Sequence, residues 1–203
     1  MLAARERNFK AHQAWSKKRA RDKEVEERTK RIRANPKLYT PFKKVPEAER
    51  WLSLFEHDRM RYPLLLVHAT SFSGKTEWAE SLFKHPLKLL IGKLIQFPNR
   101  IRELDRSVHD GLILDDCRDL AFLSDHQEQL QGRYSGTVEL GTTPSGEYAF
   151  DVDFFRLPIV VTVNNSTRNL SLLTTDDFVA NPENVRVLSF KGRPGEVTPI
   201  DRL

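Results

Sequence analysis

Residues 62–76, YPLLLVHATSFSGKT, join an apolar run to a small polar loop that ends in Gly-Lys-Thr. The run PLLLVHA predicts a buried strand, and GKTEWAESLFK, which begins inside the loop, predicts a helix. In such a connection, successive backbone N–H groups can surround the oxygens of a phosphate. The stretch therefore predicts a nucleotide-binding loop over residues 69–76. The alternative is a polar turn with an exposed lysine.

The residues of this loop have separate expected roles. Gly74 permits the unusual backbone dihedral angles that the loop requires, and Ser73 beside it is assigned to the phosphate-binding set. Lys75 would reach the terminal phosphates, and the Thr76 hydroxyl would bind a magnesium ion. Ala69 stands where such loops usually carry glycine, and we expect a left-handed alanine there at a cost of about 1–2 kcal/mol.

A second apolar run, GLILDD, predicts another buried strand, whose first aspartate follows Lys75 by 40 residues. Asp115 would hold the magnesium ion, directly or through water, and Asp116 would orient and deprotonate an attacking water. An apolar strand that ends in two aspartates also occurs as a simple helix cap. Its combination with the loop favours the catalytic interpretation.

A third run, IVVTVNN, predicts a buried strand that ends in asparagine. The side-chain amide both donates and accepts hydrogen bonds, so Asn164 can contact a γ-phosphate and the attacking water together. Asn165 follows it directly. Taken alone, an asparagine here is typical of a strand-ending turn.

Short apolar strands alternate with helical stretches around these runs. This pattern predicts an α/β fold with a mostly parallel sheet flanked by helices. Further strands are expected at residues 87–91 and in NVRVLSF, and helices in EAERWLSLFEHDRM, PNRIRELDRSV and DLAFLSDHQEQLQGRY. The segment GTVELGTTPSGEYAFDVDF, residues 136–154, predicts a hairpin with its turn at residues 144–146.

Charge is distributed unequally along the 203 residues. Residues 1–44 contain 15 Lys or Arg and 5 Asp or Glu, a formal charge of +10, whereas the remainder contains 18 and 23, a charge of −5. Residues 3–34 lack Gly and Pro, so residues 1–45 are predicted as a basic helical arm with a Pro-containing linker, followed by a body at residues 46–203. The arm indicates an anionic partner such as nucleic acid. The alternatives are a solvated helix that only maintains solubility and a segment that becomes ordered only on a partner.

The expected compartment is reducing. No segment approaches the roughly 20 apolar residues of a membrane span, and the N-terminal residues lack the apolar stretch of a secretory signal. The single cysteine, Cys117, cannot form an internal disulfide. We therefore expect the cytoplasm or nucleus, and no membrane partner.

The order of loop, Asp-Asp strand and asparagine strand within residues 69–164 resembles the superfamily 3 helicase domain. Such domains occur in the replication proteins of small DNA viruses, particularly those with circular single-stranded genomes, in their virus-derived eukaryotic relatives, and in picorna-like RNA viruses. The resemblance covers residues 46–192. It implies a P-loop NTPase fold of the AAA+-like type, in which the Asn164 strand separates the Asp115 strand from the loop strand.

The resemblance also implies ATP and Mg²⁺ as cofactors, ATP hydrolysis, single-stranded nucleic acid as a partner, and a ring-shaped homo-oligomer. In the family, an arginine near the last strand acts on the nucleotide of the neighbouring subunit. Arg186 in NVRVLSF takes that position, and Arg168 is the competing candidate. An ordinary surface ion pair is the alternative role for Arg186. The implied catalytic set is Lys75, Asp116, Asn164 and Arg186.

Two departures from the family pattern limit what the resemblance implies: the first makes DNA translocation less secure than ATP binding, and the second means that this chain is not expected to initiate rolling-circle replication alone. The family hairpin carries a basic residue that grips DNA, but the tip TTPSG has no Lys or Arg, and Arg133 and Arg156 lie only at its flanks. The family nickase domain has paired histidines and a tyrosine, whereas residues 1–45 contain only His12 and Tyr39. The rival function is a virus-derived nucleotide-binding or interaction module without helicase activity, which docks nucleic acid or protein through the arm. A simple kinase is a third interpretation, in which the asparagine strand would have no role.

Overall fold

The computed structural model describes residues 42–92, 100–131, 138–139 and 151–191, together with residues 20, 23–25, 27–28, 30–31 and 34. The chain divides into two compact units, Met1–Pro41 and Phe42–Leu203. In the first unit, every described position up to residue 31 is helical. The second unit contains the predicted site residues.

Strands and helices of the second unit follow the predicted alternation. The strands in its described part are β1 (Leu64–Ala69), β2 (Pro86–Leu90), β3 (Gly111–Asp119), β4 (Val138–Glu139), β5 (Asp151–Val152), β6 (Ile159–Arg168) and β7 (Val185–Phe190). The helices there are α1 (Pro46–Ser53), α2 (Lys75–Ser81), α3 (Ala121–Asp125), α4 (Gln127–Leu130) and α5 (Leu172–Thr175), and a 3₁₀ turn at Leu54–Glu56 follows α1.

Five strands form one sheet in the order β2-β3-β6-β1-β7, and every neighbouring pair is parallel. The predicted mostly parallel α/β sheet with flanking helices is therefore confirmed. β6 lies between β1 and β3, as the sequence analysis expected for the asparagine strand. Because parallel strands end at the same edge, the carboxyl ends of β1, β3 and β6 are neighbours. This edge is called the carboxyl edge below.

The two faces of the sheet are covered by separate apolar clusters. Leu65 and Val67 of β1 belong to a cluster with Trp51 of α1 and Trp78 of α2. The intervening Leu66 belongs to the second cluster, together with residues of α3 and the segment after α5. Burial on both faces explains why these strands are continuous apolar runs rather than alternating ones.

Two predicted helices differ from the structure. Over residues 98–108, the described part is helical only at Arg100 and Ile101 and then forms turns. Asp105 Oδ1 accepts hydrogen bonds from the backbone N–H and the hydroxyl of Ser107, at 2.8 and 2.6 Å, and this local pairing competes with helical bonding. The helix predicted over residues 119–134 is interrupted at His126, which separates α3 from α4. Among the described residues, no helix combines the length and apolar composition needed to cross a bilayer.

The predicted hairpin is confirmed at its base. β4 and β5 pair antiparallel, with Val138 opposite Val152 and Glu139 opposite Asp151. Its predicted turn and Arg133 lie outside the described residues. Arg156, the other flanking arginine, donates hydrogen bonds to the backbone oxygens of Phe55 and Glu56, at 2.6 and 2.7 Å. Its guanidinium thus connects the hairpin base to the turn after α1.

Candidate functional site

The connection from β1 to α2, residues 70–74, contains two residues with left-handed backbone. Gly74 has φ 81° directly before Lys75, the first residue of α2. Glycine adopts this conformation without steric cost, as the predicted loop requires. Phe72 has φ 61° and its side chain is fully exposed, which is unusual for a bulky aromatic residue.

Ala69 does not have the left-handed conformation that the sequence analysis expected. It is the last residue of β1, lies opposite Phe190 of β7 and is 1% exposed. The φ of Ala69 is not positive, and the left-handed residues of this connection are Phe72 and Gly74. The expected strain at Ala69 is therefore wrong: the strand continues through this position, and the small side chain lies in the cluster that contains Trp78.

Lys75 is buried, which excludes the alternative of a polar turn with an exposed lysine. Its side chain is directed into the carboxyl edge, and the residue is 7% exposed. Nζ donates to Asn164 Oδ1 at 2.5 Å and to the backbone oxygen of Thr70 at 3.3 Å. Burial lowers the pKa of Lys75, while the charges of Asp115 and Asp116 act in the opposite direction.

Thr76 and Asp115 are in direct contact, as expected for two ligands of one cation. Thr76 Oγ1 donates to Asp115 Oδ1 at 2.7 Å. Thr162 Oγ1 on β6 donates to the same oxygen at 2.7 Å and accepts the backbone N–H of Asp116 at 3.0 Å. Sequence reasoning missed Thr162, although a hydroxyl inside the apolar run IVVTVNN was a signal. Thr162 is fully buried, and its single hydroxyl contacts the Asp115 carboxylate and the Asp116 backbone at once.

Asn164 uses both ends of its amide, as its chemistry allows. Oδ1 accepts from Lys75 and from Ser71 Oγ, the latter at 3.3 Å, while Nδ2 donates to Asp116 Oδ1 at 3.2 Å. Asp116 has φ 56°, and the pairing of β3 with β6 shifts register between Leu114 and Cys117. The irregularity coincides with the two aspartates, and Asn164 links Asp116 to Lys75.

Asn165 and the two candidate arginines are placed differently. Asn165 is exposed, and its hydrogen bond to the His68 side chain opposes the lowering of the His68 pKa by burial. Arg168 ends β6 at the carboxyl edge, 3.5 Å from Asp119 Oδ2. Arg186 of β7 lies opposite Leu65 and pairs with Glu183 at 3.2 Å.

The Arg186 side chain does not lie beside Lys75 within one chain. Its partner in the sheet, Leu65, precedes Ala69 by four residues, so Arg186 lies about 13 Å along the strand direction from the end of β1, at about 3.3 Å per residue. Within the described residues, its side chain makes the ion pair that was the alternative interpretation. A role toward a neighbouring subunit stays a prediction.

The residues at the carboxyl edge fit a phosphate and a hard cation. Within the described residues, Ser73 Oγ is buried and has no hydrogen-bond partner, so the loop offers a polar atom that an anion could satisfy. No group of three or more His, Cys, Asp or Glu side chains in the described part of the chain could hold a metal. The Thr76 hydroxyl and Asp115 carboxylate instead supply two oxygen donors, which suits Mg²⁺ because this ion retains several waters and binds substrate phosphates.

Cys117 follows the two aspartates but does not belong to the reactive group. Its side chain lies in the core, and burial raises its pKa to about 11. At neutral pH it is therefore a protonated thiol and a weak nucleophile.

The sheet brings five of the predicted side chains together at one edge: Lys75, Thr76, Asp115, Asp116 and Asn164. No protein-family model matches this chain, and no curated protein matches its sequence.

Proposed function

We propose that this chain is a magnesium-dependent ATPase of the P-loop, superfamily 3 helicase type, with its site at the carboxyl edge. The observation that supports this function best is the continuous contact from Lys75 through Asn164 to Asp116, beside the contact of Thr76 with Asp115. Lys75 and Asn164 are separated by 89 positions in the chain. A turn lysine or a strand-capping aspartate needs none of these contacts.

The contacts of Lys75 leave it suited to hold a terminal phosphate. An ammonium group has three N–H donors, and two of them are directed at Thr70 O and Asn164 Oδ1. Within the described residues the third donor has no recorded acceptor, and it would bind a phosphate oxygen of ATP. The hydroxyl of Ser73, buried without a partner among the described residues, lies on the same loop and would bind a second phosphate oxygen.

Thr76 and Asp115 would hold the magnesium ion, which neutralises charge on the phosphate oxygens when bound. Thr162 keeps Asp115 in place by donating to the carboxylate oxygen that Thr76 also contacts. The two hydroxyls would therefore orient the carboxylate before the cation arrives, and preorganised ligands of this kind are typical of phosphoryl-transfer sites.

Asp116 and Asn164 would act on the attacking water. Asn164 holds one oxygen of the Asp116 carboxylate through Nδ2, and a water beside this pair could donate to a remaining lone pair of the carboxylate. In the reaction, the water oxygen forms a bond to the γ-phosphorus, the bond from that phosphorus to the ADP oxygen breaks, and Asp116 accepts the water proton.

The proposal includes action on single-stranded nucleic acid as a ring of identical subunits. Two features support it. Residues 1–44 carry a formal charge of +10, which favours a phosphate backbone as partner. Arg186 lies on β7, at the end of the described sheet order, where a side chain can reach a neighbouring subunit. A finger that acts on the neighbour's nucleotide does not need to lie near Lys75 of its own chain.

Steady-state ATP hydrolysis by the purified chain, with and without single-stranded DNA, tests the proposal. We expect magnesium-dependent turnover that is lost in Lys75→Ala and in Asp116→Asn. ATP binding should be lost only in Lys75→Ala, because the amide of Asp116→Asn preserves the shape of the site. The exposed Lys84 provides a matched control, and Lys84→Ala should behave as wild type.

Two results would contradict the proposed activity. ATP binding that depends on Lys75 without any turnover would support the rival function, a nucleotide-binding module. Equal ATP binding by wild type and Lys75→Ala in isothermal titration would exclude the loop as a phosphate site.

A further inference from the structure

Arg118 lies two residues after Asp116 on β3 and binds its carboxylate directly. Arg118 Nε donates to Asp116 Oδ2 at 2.9 Å, and Nη2 lies 2.9 Å from the same oxygen. The other carboxylate oxygen, Oδ1, accepts from Asn164 Nδ2 at 3.2 Å. The two oxygens of Asp116 are thus held by donors from two different strands, β3 and β6.

Gly92 provides the space in which this pair forms. A Cβ atom at position 92 would lie 2.9 Å from Arg118 Nε and 3.0 Å from Asp116 Oδ2. The preceding residue is fixed in the sheet, because the backbone N–H of Ile91 donates to Asp115 O at 2.9 Å. Glycine therefore lets the backbone after β2 approach the guanidinium closely, and a larger residue would displace it.

The backbone of Asp116 adds a third observation. Its φ of 56° is uncommon for a residue other than glycine. Conformations of this kind persist when surrounding contacts hold them, and they occur frequently at active sites. Here the backbone N–H of Asp116 donates to Thr162 Oγ1, while Arg118 and Asn164 hold the carboxylate. The contacts converge on one residue, the one assigned to activate water.

We propose that Arg118 is a positioning residue for Asp116: together with Asn164 it fixes the rotation of the carboxylate that accepts the proton of the attacking water. This inference rests on the proposed ATPase function. With Arg118 removed, the carboxylate retains, among the described residues, the side-chain contact from Asn164 and can rotate about its Cβ–Cγ bond. Arg118 touches neither nucleotide nor water in this role, so it acts only through Asp116.

The alternative role of Arg118 is an ordinary surface ion pair. Its side chain is 69% exposed, and pairs with this exposure contribute little to folding stability. The two roles therefore predict different results for Arg118→Ala. A positioning residue changes turnover while stability remains near that of wild type, whereas a surface ion pair changes neither.

The test compares Arg118→Ala, Arg118→Lys and Gly92→Ala in steady-state ATP hydrolysis. For Arg118→Ala, kcat should fall roughly 10- to 100-fold, which is the scale of a misplaced catalytic group, while KM for ATP stays within about twofold. Arg118→Lys should have intermediate turnover, because one ammonium replaces a planar group with two contacting nitrogens. Gly92→Ala should reproduce the loss although Arg118 is present, since the added methyl would crowd the guanidinium and the Asp116 carboxylate together, at 2.9 and 3.0 Å.

Arg50→Ala is the matched control. Arg50 is 71% exposed and pairs with Glu47 at 2.9 Å on α1, so its removal deletes a similar ion pair away from the carboxyl edge and should leave turnover unchanged. The midpoint of thermal unfolding of Arg118→Ala should stay within roughly 4 °C of wild type.

The outcomes separate this inference from the proposed function. Normal kcat in Arg118→Ala, with active wild-type protein, overturns the role of Arg118 and leaves the ATPase standing, whatever the result for Gly92→Ala. Weaker binding of a non-hydrolysable ATP analogue by Arg118→Ala would mean that Arg118 contacts the nucleotide, which also overturns positioning. Wild-type protein without turnover overturns both.

Discussion

Thr162→Val removes the hydroxyl that contacts both Asp115 and Asp116, beside the contact of Thr76 with Asp115. Valine has nearly the same shape as threonine, and position 162 is fully buried, so the variant leaves no large cavity. It deletes the donor to Asp115 Oδ1, and it leaves the backbone N–H of Asp116 without its acceptor. Thr76 still donates to Asp115, so that carboxylate keeps one partner.

The expected loss of stability follows from these contacts. A buried donor without an acceptor costs about 1–3 kcal/mol, and a hydrogen bond to a charged group contributes about 1.5–3 kcal/mol. Since Thr76 compensates in part, we expect a total loss of about 2–4 kcal/mol. In a domain of roughly 150–250 residues this lowers the unfolding midpoint by about 5–15 °C.

Urea and thermal unfolding, followed by the fluorescence of the buried Trp51 and Trp78, measure this loss. Thr162→Ser is the matched control, because it keeps the hydroxyl and loses one methyl group, worth about 1 kcal/mol. A Thr162→Val variant as stable as wild type would contradict the contribution of these hydrogen bonds. Equal destabilisation of Thr162→Ser and Thr162→Val would also contradict it, since packing rather than hydrogen bonding would then be the cause.

Three further predictions concern the ring, the arm and acid stability. Arg186→Ala should bind ATP normally and hydrolyse it poorly, and mixing it with Lys75→Ala should restore part of the activity in steady-state assays; a mixture as inactive as its components contradicts a shared site. Deletion of residues 1–44 should weaken binding to single-stranded DNA and flatten its salt dependence in fluorescence titrations, and unchanged low-salt affinity would exclude the arm. The pKa of Asp176 is lowered in the folded state, chiefly because its carboxylate accepts the backbone N–H of Val179. The folded state therefore binds fewer protons than the unfolded state, and the stability that Asp176 contributes is lost as the pH falls below the ordinary pKa of 3.8. The difference in urea midpoint between wild type and Asp176→Ala should therefore be greatest near pH 7 and shrink toward pH 3, and a constant difference would contradict this origin.

Much of the fold could be predicted from local sequence, because burial on both faces of a parallel sheet makes each strand an apolar run. PLLLVHA, GLILDD and LPIVVTVNN each carry this pattern, and β1, β3 and β6 occupy them. The residues that end these runs were candidates for the site, since parallel strands place their carboxyl ends at one edge. The sequence by itself therefore determined the fold class and five of the side chains that meet there.

Tertiary contacts decided what local patterns do not encode. Of the helix predicted over residues 98–108, the described part is helical only at Arg100 and Ile101. Beyond them, Arg106 donates to the backbone oxygen of Phe155 at 2.8 Å, a contact between residues 49 positions apart. Ala69 is extended rather than left-handed, because β1 gains an additional residue of pairing with β7.

The supporting contacts of the site also depend on distant parts of the chain. In the sequence, Thr162 is a single polar residue within an apolar strand. In the structure, the register of β6 with β3 places its hydroxyl between two aspartates. Gly92 belongs to no motif, and only the pairing of β2 with β3 brings it to Asp116. Arg118 is close to Asp116 in sequence, but its contact with that carboxylate is visible only in the structure. Local patterns report which side chains are buried. Which polar atoms then face each other is decided by strand order and register, because these set distances between residues far apart in the chain.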